Sequence, residues 1–211
     1  VVSVPMTFPV ENRPIVQSPV ASMTKKEKDT AWPDMVDGIK KVLERHEGER
    51  VLVHAVSYEL AGYLAAGLSG CGRRVVTYRN AREKDAALRT YRSVAGAVLV
   101  ASSMDRGVDL KDDDCRVVIV AKVPFPYLGD PQVGKRMHLP GGQEWYAVQT
   151  VRSVVQMTGR GVRSAEDWAV TYVLDGQFGS NLWKRNKRLF PQWWRDAVEF
   201  VPRSRLMKGQ W

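Results

Sequence analysis

Short apolar runs alternate with helix-patterned stretches along most of this chain, and that alternation leaves few folds open. Val51–Val56, Arg74–Tyr78, Ala97–Ala101, Arg116–Ala121 and Ala169–Leu174 read as strands. Tyr58–Leu68, Ala81–Ala95 and a long stretch from about Gln143 to Val162 carry helical spacing between them. Strands that are apolar on both sides must be covered on both faces, which calls for a parallel sheet with crossover helices. The expected fold is therefore α/β, with a parallel sheet of about five or more strands and helices on both faces.

The first thirty residues differ. Pro5, Pro9, Pro14 and Pro19 punctuate Val1–Met23, so this segment reads as an extended, irregular arm with short strand segments at best. From Trp32, the residues Met35, Ile39, Val42 and Leu43 recur at helical spacing, Pro33 suits a first turn, and His46–Gly48 ends the helix. Lys122–Gly142 reads as a Pro/Gly-rich loop. The tail, Gly176–Trp211, is basic and aromatic, with helices expected around Asn181–Leu189 and Pro191–Val198. The division is an arm over residues 1–31 and one domain over 32–211. Beginning at Val1 rather than Met, the chain fits a piece cut from a longer protein.

Charge narrows the partners. Thirty-two basic against 23 acidic side chains give +9 over 211 residues, which points to a polyanion, nucleic acid before an anionic membrane. Cys71 and Cys115 are too few for a disulfide framework and match no metal spacing. No uncharged stretch approaches the ~20 residues of a membrane span. The expected compartment is the cytoplasm or the nucleoid.

Two segments look like nucleotide sites and are rejected. Gly129-Asp-Pro-Gln-Val-Gly134-Lys135-Arg136 fits G-x-x-x-x-G-K, but Arg136 stands where a magnesium-binding Ser or Thr belongs, and Pro131 removes a cradling amide. Asp112-Asp113-Asp114 precedes a strand instead of ending one, so it reads as a solvated turn.

The strongest chemical signal is Gln156-Met-Thr-Gly159-Arg160-Gly161-Val162-Arg163. Placed on one helix, Gln156, Arg160 and Arg163 share a face, and two permanently charged guanidinium forks there suit a polyphosphate. Gly159 and Gly161 each cost about 1 kcal/mol in a helix interior, so they point to close approach of another backbone or a ligand. A second segment, Ser102-Ser103-Met-Asp-Arg106-Gly107-Val108-Asp109-Leu110, follows a strand end, where ligands collect in such sheets.

Taken in order, these segments resemble the second RecA-like motor domain of a superfamily 2 helicase of the DinG/XPD type. Val51–Leu60, with Ser57 and Tyr58, resembles motif IV. Ser103–Leu110 resembles motif V, with Arg106 in place of the usual glutamate. Lys122-Val-Pro-Phe-Pro126 resembles the family's K-L-P-F-P turn, Gln156–Arg163 resembles motif VI, and Leu189–Trp194 is similar to the L-P-x-W ending. The likeness runs from about residue 8 to 200.

The resemblance implies an ATP-dependent DNA helicase whose first RecA-like motor domain lies outside this chain and supplies the P-loop and catalytic acid. ATP and Mg would sit between the domains. Arg160 and Arg163 would act as arginine fingers, with Gln156 sensing the terminal phosphate. Gly107 and Asp109 would lie near the nucleotide. Ser57, Tyr58 and Ser103 would touch single-stranded DNA, or RNA. A competing reading is a non-enzymatic nucleic-acid-binding module, drawn from the tail, where Lys184, Arg185, Lys187 and Arg188 interleave with Trp183, Phe190, Trp193 and Trp194. Packing of those aromatics onto the sheet is the reading preferred here. No Ser-His-Asp or Cys-His arrangement supports an unrelated small-molecule enzyme, and His46, His54 and His138 share no motif.

Overall fold

A computed structural model describes residues 8–102, 110, 112–159, 161–162 and 164–210. Among the described residues, seven strands form one sheet in the order β3-β4-β2-β5-β6-β1-β7, every neighbouring pair parallel. The four central strands named from the apolar runs are β2 (Val51–His54), β4 (Val98–Ala101), β5 (Val117–Val120) and β6 (Val170–Asp175), joined on one side by β3 (Val75–Thr77). Every residue of those four is buried. Such runs cannot alternate in polarity, because helices cover both faces.

Side-chain alternation divides the core. Val51, Val53, Val98, Val100, Val117 and Ile119 meet α1 (Lys28–Arg45) and α2 (Tyr58–Gly67) on one face. Leu52, Leu99 and Val118 meet α3 (Lys84–Ser93) on the other. Val120 and Val173 meet α5 (Gly142–Thr158) and the chain's last turns on that same face. Each fully buried aliphatic side chain contributes about 1.5–3 kcal/mol.

The arm is more ordered than its prolines indicate. Ile15–Ala21 forms β1, which lies inside the sheet between β6 and β7. Pro19 is accommodated because β1 keeps register with β6 through Gln17 and resumes only at Ala21. The missing N–H falls in that irregularity, where no ladder bond needs it. Helix α1 begins at Lys28, four residues before Trp32, so Pro33 lies inside the helix.

The Lys122–Gly142 segment departs from an open loop. Asp130 accepts from the amides of Gln132 and Val133 at 2.8 and 3.1 Å and starts helix α4 (Pro131–Met137), with Pro131 in the first turn. In the tail, a π-helical turn (Phe178–Trp183) runs into α6 (Lys184–Asn186) and a 3-10 turn (Lys187–Leu189). Helix α7 (Gln192–Arg195), strand β7 (Val198–Phe200) and α8 (Arg203–Met207) complete the chain. Residues read from sequence as the end of a helix thus include the start of the sheet's last strand. Phe178, Phe190 and Trp194 are buried, with the Phe190 and Trp194 rings stacked 4.5 Å apart. Phe190 and Trp194 are core and do not offer stacking surfaces to bases.

Candidate nucleotide and nucleic-acid sites

The carboxyl edge of the sheet gathers the loops that follow β1, β2, β5 and β6. After β2 the backbone makes an unusual turn: Val56 sits at φ 68°, a left-handed conformation rare for a β-branched residue. Such strain costs about 1–3 kcal/mol and persists where surrounding structure enforces it. The turn brings Ser57 to the start of α2, where its Oγ accepts from the Leu60 amide at 3.2 Å. The Ser57 acceptor is therefore engaged as a helix cap. Tyr58 is 44% exposed and packs edge-on to Tyr78, with ring centroids 6.1 Å apart.

Asp175, which sequence reasoning did not single out, organises this edge. Its carboxylate accepts from the amides of Met23 at 3.1 Å, Val123 at 2.8 Å and Gln177 at 2.9 Å. One buried side chain thus ties together the loops after β1, β5 and β6. Burial pushes its carboxyl above the ordinary range, and the three amides pull it back. The available signal was an acid closing an apolar strand. At the end of β4, Ser102 is buried, and its hydroxyl has no hydrogen-bond partner among the described residues.

The opposite, amino edge holds the end of α5. This helix stops at Thr158, and Gly159 closes it through an amide bond to Val155 O at 3.0 Å. Gln156 lies in the last turn and is exposed. Arg160 and Arg163, expected to share a helical face with Gln156, lie outside the described residues; the helix itself ends at Thr158. The cause is packing by glycine. A Cβ on Gly161 would fall 2.1 Å from Ala169 Cβ and 2.7 Å from Cys115 O. Only a glycine lets this turn press against the entries to β5 and β6. Thr158 is further pinned by the indole of Trp194, whose Nε1 donates to its Oγ1 at 2.7 Å. Beyond the turn, Asp167 is buried and pairs with Arg116, which also donates to Trp168 O at 2.8 Å.

Arg160, Arg163, Ser103, Gly107 and Asp109 lie outside the described residues. Of the remaining candidates, Ser57 and Tyr58 stand together at the carboxyl edge. Gln156 stands in the last turn of α5, at the amino edge, and the structure does not bring it to them.

The two look-alikes resolve clearly. Gly134 and Lys135 lie within α4, so no loop of amides is available there to cradle phosphate. Asp113 pairs with Arg116 at 3.0 Å, and Asp114 with Arg92 at 3.0 Å and Arg50 at 3.6 Å. Among the described residues, no group of three or more His, Cys, Asp or Glu side chains is placed to hold a metal ion. Among the described residues, no helix is long and apolar enough to cross a membrane. His46 is held neutral down to about pH 4 by burial and by Arg45 and Arg73, and its Nε2 lies 2.8 Å from the Tyr172 hydroxyl.

With this geometry established, the relatives identify the class. The helicase C-terminal domain family matches residues 39–197. The chain belongs to that family, as a RecA-like C-terminal motor domain of the DinG/XPD type. A regulator of telomere elongation helicase 1 homolog from Caenorhabditis elegans is 28% identical over 148 residues, 60% of this chain and 14% of that protein. A Fanconi anemia group J protein homolog from Gallus gallus is 35% identical over 100 residues, 41% of this chain and 8% of that protein. The chain thus spans a small part of these relatives. Among solved structures, S. tokodaii Xpd4 superposes with a TM-score of 0.63 at 17% identity, over 89% of this chain and 38% of that one. S. cerevisiae Dbp5 bound to RNA and ADP BeF3 gives 0.62 at 11% identity, over 94% and 45%. Both share the fold.

Proposed function

We propose that this chain is the second motor domain of an ATP-dependent helicase and completes an ATP site with a first RecA-like domain on the same polypeptide. One observation carries the reading: within a helicase C-terminal domain, the described motif residues divide between two edges of the sheet. Tyr58 projects at the carboxyl edge, where a strand of nucleic acid would lie. Gln156 is exposed at the amino edge, next to the glycine-closed turn of motif VI.

In this reading the chain contributes half of a nucleotide site. Lys135 is helical, and the described residues offer no metal-binding cluster. The phosphate cradle and magnesium ligands would then belong to the first domain. ATP bound with Mg supplies a phosphoryl group whose charge is spread over its oxygens as it transfers. Arg160 and Arg163 would neutralise that charge, and Gln156 would hydrogen-bond the terminal phosphate. Gly107 and Asp109 would face the nucleotide, while Ser57, Tyr58 and Ser103 contact single-stranded DNA or RNA.

The test is ATP hydrolysis by the intact polypeptide with and without single-stranded DNA or RNA. Turnover stimulated by nucleic acid is expected. An intact protein that binds ATP yet shows no stimulated turnover would overturn the motor reading.

A further inference from the structure

The P-loop look-alike is left without a role by the motor reading, yet its residues are not scattered. Helix α4 carries Lys135 and Arg136 to one side of a cleft of about 620 Å³, whose other side is Leu139, Pro140 and Trp145. The Arg136 guanidinium lies 4.5 Å from the Trp145 ring centroid. Among the described residues, neither Lys135 nor Arg136 makes an ion pair with a carboxylate. Leu139 is 62% exposed, and Tyr127, on the approach to α4, is 78% exposed. The segment leaves the carboxyl end of β5, the same edge that bears Tyr58.

We infer that the α4–α5 cleft is a second contact for single-stranded nucleic acid. Lys135 and Arg136 hold successive phosphates, and a base stacks on the face of Arg136 or Trp145. This deepens the motor reading and rests on it. The chemistry is complementary: two unpaired cations face a polyanion, and a half-buried indole under a guanidinium offers a flat surface that accepts any base. Charge favours this occupant over a protein, since the chain carries +9 and the cleft walls bear no carboxylate.

The experiment measures binding of a fluorescent oligothymidylate to this 211-residue chain across a salt series. Lys135→Ala/Arg136→Ala should weaken binding about tenfold or more, and should flatten the log–log salt slope by about 0.7 per lost phosphate contact. Both residues are exposed helix positions, so the variant should melt like the parent. Lys40→Ala/Lys41→Ala removes equal charge from α1 and should change the slope far less. Equal weakening by both pairs would overturn the site, because net charge alone would then explain binding. Loss of affinity in Tyr58→Ala but not in the α4 pair would sink this inference and leave the motor reading standing. A wild-type chain that binds no oligonucleotide would overturn this inference, whereas the motor reading stands or falls on ATP hydrolysis by the intact polypeptide. A dimer in sedimentation that is broken by Leu139→Asp, with unchanged oligonucleotide binding, would assign the cleft to a second copy and overturn the proposal.

Discussion

Two segments of this chain combine glycine with arginine or lysine, and they use glycine in opposite ways. In Gly129–Arg136 the second glycine is absorbed into a helix. A Cβ on Gly134 would meet only Leu128 O, at 3.2 Å. In Gln156–Arg163 the glycines end a helix and let its exit turn touch the entries of two strands, with Cys115 O 2.7 Å from a Cβ built on Gly161. Both segments invite a phosphate reading by residue type alone. The difference lies in what surrounds the glycine.

The comparison breaks most sharply at the arginines. Arg160→Ala in the intact polypeptide should lower kcat for ATP hydrolysis by about a thousandfold or more, with a much smaller change in ATP affinity, because an arginine finger acts on charge that builds in the transition state. Near-normal turnover with an unchanged melting point would reduce the segment to a structural turn.

Next comes Gly161→Ala in this chain. The added methyl overlaps Ala169 and a backbone oxygen that cannot swing aside, so a loss of about 1–3 kcal/mol is expected in urea titration. Gly134→Ala should behave differently. A gain of up to about 1 kcal/mol in helix propensity is offset by one tight contact, leaving stability near or slightly above the parent. Equal destabilisation at the two sites would erase the contrast drawn here.

The smallest effect concerns Lys135. This chain alone should show only background ATP hydrolysis, and Lys135→Ala should leave that background unchanged. Steady-state turnover abolished by the substitution would restore the phosphate loop.

Much of the sheet was legible because β2, β4, β5 and β6 are buried on both sides and so are written as unbroken apolar runs. Strand β7 was not, since Val198-Glu-Phe200 is short, lies at the sheet edge and leaves Phe200 63% exposed. Strand β1 was undersold by Pro19, whose cost vanishes at a register irregularity that only the neighbouring strand reveals. Helix α4 was announced by Asp130-Pro131, a cap followed by a preorganised first turn, but the nearby prolines obscured it. Tyr58 and Gln156 were singled out from motif order, and the structure gives only their positions, one at each edge of the sheet. Asp175 was missed because its importance lies in three amides distant along the chain. Val56 was missed because nothing in a valine announces a positive φ.

The placement of β1 carries a mechanical consequence. It is hydrogen-bonded to β6 on one side and to β7 on the other, so the first and last strands of the domain share a ladder. Tension entering through the residues just before Ile15 pulls β1 along its own axis and loads both ladders in shear, many bonds at a time. Tension entering through the β7 side meets a three-residue strand held on one flank. The domain is thus built as a rigid lever when pulled from its first strand and as a yielding one when pulled from its last.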